Sequence, residues 1–86
     1  MTKYVKKPIP VEAVAVESDD RYALPEWAQV AWATGKLIFT ENGFLVETLE
    51  GTHTASYGDY LVRGIRKELY PVKKAIFEET YEPVAD

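Results

Sequence analysis

The chain has one histidine, His53, followed by Ser56 and Asp59, the residue types of a hydrolytic triad. A triad needs the imidazole within hydrogen-bond reach of the hydroxyl. In an extended segment residues three apart point to opposite faces, so His53 and Ser56 diverge. A metal site using His53 with Glu47 or Glu50 lacks a second strong ligand and any recognisable ligand spacing. The adjacent carboxylates Asp19-Asp20 and Glu78-Glu79 do not converge on one substrate. Cysteine is absent, which removes thiolate nucleophiles, disulfides and thiolate-bound zinc together. Gly58-Asp59 and Arg63-Gly64 are single-glycine turns and not a phosphate cradle. The expectation is a protein that is not an enzyme and uses no metal and no cofactor.

Binding chemistry is better supplied. Two Trp, six Tyr and three Phe are present in 86 residues. Most must serve the core, since each ring buries ~150–250 Å² and a small domain needs that area. Any that stay exposed become interface anchors, and Trp32, Tyr57 and Tyr60 are the candidates for partner binding. Residues 63–74 hold Arg63, Arg66, Lys67, Lys73 and Lys74 against Glu68 alone, in a chain of net charge -4. Arg63, Arg66, Lys73 and Lys74 are therefore the candidates for holding an anion. The acidic balance argues against a dedicated nucleic-acid binder.

The elements that must position these groups follow from periodicity. Ile9 to Glu17 reads as a strand, with Ile9, Val11, Ala13 and Ala15 on one face and Pro10, Glu12, Val14 and Val16 on the other. Pro8 and Pro10 place its start at a sheet edge. Leu24-Pro25-Glu26-Trp27 opens a helix that Gly35 ends, with Trp27 and Trp32 on different faces. From Leu37 the period becomes two. Leu37–Thr40 and Phe44–Leu49 flank Glu41-Asn42-Gly43, a strong hairpin cue. Thr52–Ser56, Tyr60–Arg63 and Glu68–Val72 follow, separated by turns at Glu50-Gly51, Gly58-Asp59 and Gly64–Lys67. Lys73–Tyr81 reads as a short amphipathic helix, with Phe77 and Tyr81 one turn apart and Pro83 ending it. The predicted fold is α+β in a single domain, 1–86. It is a curved, half-barrel-like antiparallel meander of about five to six strands, with one central helix and a short C-terminal helix.

A cysteine-free chain of this size points to a reducing cytoplasm. The basic start, Met1 to Pro8, has no apolar run behind it and does not read as a signal peptide. No stretch approaches the ~20 apolar residues of a membrane span, so no membrane partner is expected.

Six segments stand out in order: Lys6-Lys7-Pro8-Ile9-Pro10-Val11-Glu12-Ala13-Val14, Pro25-Glu26-Trp27, Thr48-Leu49-Glu50-Gly51, Tyr57-Gly58-Asp59-Tyr60-Leu61-Val62-Arg63-Gly64, Glu68-Leu69-Tyr70-Pro71-Val72-Lys73 and Ile76 to Val84. Together, at both ends and in the middle, they resemble a group of small bacteriophage and prophage proteins of unknown function. The chain departs from that pattern at Tyr57, where proline is usual, at Lys67, where glycine is usual, and at Val72, where cysteine is frequent. The resemblance implies a phage-encoded protein in the host bacterial cytoplasm; joined to the lack of catalytic groups and the high aromatic count, it gives the expectation of a binding protein that engages a host protein and blocks an antiviral defence. Two alternatives stay open: a sponge for a small anionic nucleotide signal, and a virion or assembly accessory protein. A homodimer is also compatible.

Overall fold

The structure, a computed structural model, describes residues 2–85. Six strands and two helices follow one another as β1 (Glu12–Ala15), α1 (Glu26–Ala33), β2 (Leu37–Phe39), β3 (Gly43–Thr48), β4 (Gly51–Ser56), β5 (Tyr60–Arg63), β6 (Leu69–Val72) and α2 (Lys74–Thr80). A 3-10 turn at Arg21–Ala23 precedes α1, with Asp20 Oδ1 accepting from the Tyr22 N–H at 3.0 Å.

The strands form two antiparallel three-stranded sheets, in the orders β1-β5-β6 and β2-β3-β4, and no closed barrel. The α+β class is therefore as the periodicity predicts. The expectation of one continuous meander is replaced by two sheets, because the first strand crosses the chain to pair with the fifth. Glu12 stands opposite Arg63 and Ala15 opposite Tyr60. This strand is also shorter than the predicted Ile9–Glu17, since Pro8 and Pro10 cannot donate to a ladder.

Helix α1 begins after Pro25, whose fixed φ suits the position before the first turn. It ends in a Schellman arrangement: the Lys36 N–H reaches the Ala31 carbonyl at 2.8 Å and the Gly35 N–H reaches that of Trp32 at 3.2 Å. Gly35 carries φ +79°, the left-handed conformation this cap requires. The helix buries Ala28 and Ala31, and together with Leu24 these small and branched residues bring it close to the sheets.

The core draws on both sheets: Val16, Leu37, Phe44, Val46, Ala55, Leu61 and Leu69 join Leu24, Ala28 and Ala31. In β1 the inward face is therefore the one with Val14 and Val16. The alternate face of the first sheet carries Ala13, Ala15, Tyr60, Val62, Tyr70 and Val72, by register and the two-residue period. Val62 is fully buried yet lies outside the main core cluster. On that opposite side of the sheet lie Phe77 of α2, stacked on Tyr60, and the segment before β1.

Helix α2 buries no residue completely and has no side-chain cap from Lys73. Asp59, in the β4–β5 turn, supplies one instead. Its Oδ1 accepts from the Lys74 N–H at 3.1 Å and its Oδ2 accepts from the Ser56 N–H at 3.0 Å. One carboxylate thus closes a turn and satisfies an orphan donor of a helix start. Asp59→Ala is expected to cost about 1–2 kcal/mol, the usual loss for a removed cap. Urea denaturation checks this, and Asp59→Asn should retain part of the stability. In the turn before β6, Lys67 holds φ +64°. Lys67 therefore occupies a conformation in which a side chain is disfavoured and glycine is not.

Candidate functional site

The residues with catalytic potential do not meet. His53 is exposed on β4, and by strand alternation Ser56 faces the other way. Asp59 is engaged by the two backbone donors described above. Among the described residues, no group of three His, Asp or Glu side chains is placed to share a metal ion. No described helix is long and apolar enough to cross a membrane.

The four candidate anion-binding residues separate into two pairs. Arg63 and Leu69 pair at one end of the β5–β6 hairpin, and Tyr60 and Val72 pair at the other. Arg63 and Arg66 therefore belong to the first end, and Lys73 and Lys74 follow the second. Arg63 is also occupied: it forms an ion pair with Glu12, its partner in the strand register, and its guanidinium lies 5.4 Å from the Trp27 ring centroid. Arg66, Lys73 and Lys74 are exposed. Adjacency in sequence does not become a basic pocket, because the hairpin carries the two halves of the cluster apart.

The three candidate partner-binding aromatics take different places. Tyr57 packs against the core, and its hydroxyl donates to the Thr40 carbonyl at 2.7 Å. Burial first, and Asp19 second, raise its pKa. Tyr60 stacks on Phe77, with ring centroids 3.9 Å apart and 13° between planes. Trp32 stays 37% exposed on α1.

Two surfaces result. The first is a cluster of Arg21, Tyr22 and Trp32. The Arg21 guanidinium lies 4.1 Å from the Trp32 ring and 4.5 Å from that of Tyr22, and it donates to the Tyr22 hydroxyl at 2.7 Å. Tyr22 is 72% exposed. Cation–π attraction holds the three together, so little conformational entropy remains to be lost on binding. Sequence reading identified Trp32 alone. Arg21 and Tyr22 precede α1 in a non-periodic segment, and only the return of α1 past that segment brings them to the tryptophan.

The second surface is a groove of about 1420 Å³ on the outward face of the first sheet. Its aromatic lining comes from Tyr60, Tyr70, Phe77 and Tyr81. Phe77 stacks between Tyr60 and Tyr81, the second pair at 4.6 Å and 12°. Lys6 to Val11 form one wall and Thr80 to Val84 another. Residues 6–11 and 80–84, far apart in sequence, thus face each other across one groove. Tyr70 is the strongly perturbed group here. Burial pushes its pKa up to about 12, with the Tyr81 hydroxyl and then the Glu68 carboxylate adding to the shift.

That shift makes stability depend on alkaline pH. An unfolded tyrosine ionises near about 10, so the folded state binds the proton more tightly. The contribution is whole below about pH 10 and is lost as pH rises through about 12. Tyr70→Phe is expected to show a shallower fall in urea midpoint across that window than the parent protein. Equal slopes would mean that Tyr70 ionises alike in the folded and unfolded chains.

The chain matches no protein-family model, no curated protein and no solved structure.

Proposed function

We propose that this protein is a non-enzymatic binding protein whose Arg21–Tyr22–Trp32 face engages a host protein in a phage-infected bacterium, in the manner of an inhibitor of antiviral defence. One observation supports the binding reading above all: an exposed Tyr22 and a partly exposed Trp32 stand preassembled around a half-buried Arg21 in a single cluster. These three residue types dominate the energetics of protein interfaces. Separation of Arg63 and Arg66 from Lys73 and Lys74 weighs against an anion sponge. The phage setting and the host cytoplasm rest on the resemblance of residues 6–14 and 57–84.

The test is capture of the partner from host lysate, paired with phage growth on cells that carry the corresponding defence. Trp32→Ala is expected to weaken capture by about 30-fold or more, the effect of an interface anchor worth at least ~2 kcal/mol. Its thermal midpoint should move only a few degrees, because the ring is partly in water already. Capture of no specific protein, together with unchanged phage growth in defended cells, would overturn the proposal.

A further inference from the structure

The segment before β1 is unusual in what it leaves in water. Thr2 to Pro10 are exposed throughout, with Tyr4 90% and Val5 94% exposed. Among the described residues, its one backbone hydrogen bond is internal, from the Ile9 N–H to the Lys7 carbonyl at 2.8 Å. Lys6 to Val11 wall the groove of their own chain, whereas Thr2–Val5 do not line it. The same chain therefore presents an open aromatic groove and an unburied aromatic–aliphatic pair that does not line it.

Charge matches the two. Residues 2–7 contain Lys3, Lys6 and Lys7 and no acidic group. Residues 75–85, along the opposite wall, contain Glu78, Glu79 and Glu82 and no basic group, and Glu68 also lines the groove. At 1420 Å³ the groove exceeds the ~300–1,000 Å³ usual for a small-molecule site and suits an extended chain.

We propose that residues 2–5 of one copy dock in the aromatic groove of a second copy, in a reciprocal exchange that forms a closed two-fold dimer. Tyr4 is the anchor, laid against Tyr70, Phe77 and Tyr81, and Val5 is buried beside it. Lys3 meets the glutamates of α2 and of the segment after it. The exchange is self-complementary, so each copy gives one arm and receives one and association stops at two. The groove of a single copy is incomplete without the partner's Tyr4.

Absence of cysteine makes the test clean. Val5→Cys and Thr80→Cys variants are prepared separately and mixed under mild oxidation, so that each chain carries one thiol. A disulfide between positions 5 and 80 can then form only between chains, and peptide mass spectrometry identifies it. In parallel, sedimentation equilibrium measures association of the unmodified chain. The expected results are a 5–80 crosslink and a dimer that Tyr4→Ser with Val5→Ser weakens at least ~100-fold. Lys3→Glu and Glu82→Lys should each weaken the dimer, and the two together should restore part of it. A monomer at the highest soluble concentration would overturn the proposal, whether its arm is free or folded onto its own groove. So would a dimer indifferent to Tyr4 and Val5. The purified protein alone suffices, so neither outcome bears on the Trp32 face.

Discussion

Gly43→Ala is expected to unfold the protein or to lower its thermal midpoint by about 20 °C or more. A Cβ at this position would stand 2.0 Å from the Ala55 carbonyl oxygen and 2.9 Å from the Ala55 carbonyl carbon and Ser56 Cα. All three are backbone atoms of β4, the strand to which β3 is hydrogen-bonded, and Gly43 is paired with Ser56. No side-chain rotation relieves such a contact, so the strands must part. The neighbouring Phe44, fully buried at the centre of the core, would move with them. An 86-residue domain holds only roughly 4–13 kcal/mol of stability, so a loss of about 4 kcal/mol removes from about a third of it to all of it. Thermal melting followed by circular dichroism checks this. A shift below about 5 °C would show that β4 can yield at Ala55.

Phe77→Ala is expected to cost about 2–3 kcal/mol and to release α2 while the two sheets persist. The ring is the middle member of the Tyr60–Phe77–Tyr81 stack, so its removal breaks both aromatic pairs at once. Because Phe77 is only partly buried, the loss falls below that of a fully enclosed phenylalanine. The helix has little else to hold it, since none of its residues is fully buried and its start depends on Asp59. Hydrogen exchange should show residues 74–80 losing protection while β3 and β4 keep theirs. Phe77→Leu should recover part of the stability through area alone and none through stacking. If all amides lost protection together, α2 would be integral to the fold.

The features legible in the sequence share one property: they depend on neighbours within a few residues. The two-residue period from Leu37 onward places β2 to β6 within a residue or two, and Pro25 and Gly35 bound α1. Asn42-Gly43 marks a turn correctly, but for another reason than the turn cue implies. Gly43 does not adopt a left-handed φ, and its missing side chain admits the backbone of β4. Lys67, by contrast, holds a left-handed φ that nothing in its residue type announces. The exposure of Trp32 follows from its angular separation from Trp27, which is again local.

What tertiary structure decided lies in contacts between distant segments, where pairing depends on which arrangement buries the most apolar surface. The register of Glu12 with Arg63 splits the strands into two sheets and ties up an arginine that looked free for an anion. Extension of the β5–β6 hairpin puts four neighbouring cations at opposite ends. Return of α1 past the 3-10 turn brings Arg21 and Tyr22 to Trp32. Folding of α2 onto the outward face of the first sheet adds the distant Tyr60 to the local Phe77–Tyr81 pair and opens the groove between residues 6–11 and 80–84. Composition and spacing determined that the chain carries aromatic and cationic groups suited to binding. Long-range burial alone determined which of them stand together, because side chains far apart in sequence acquire a common surface only when the segments between them pack.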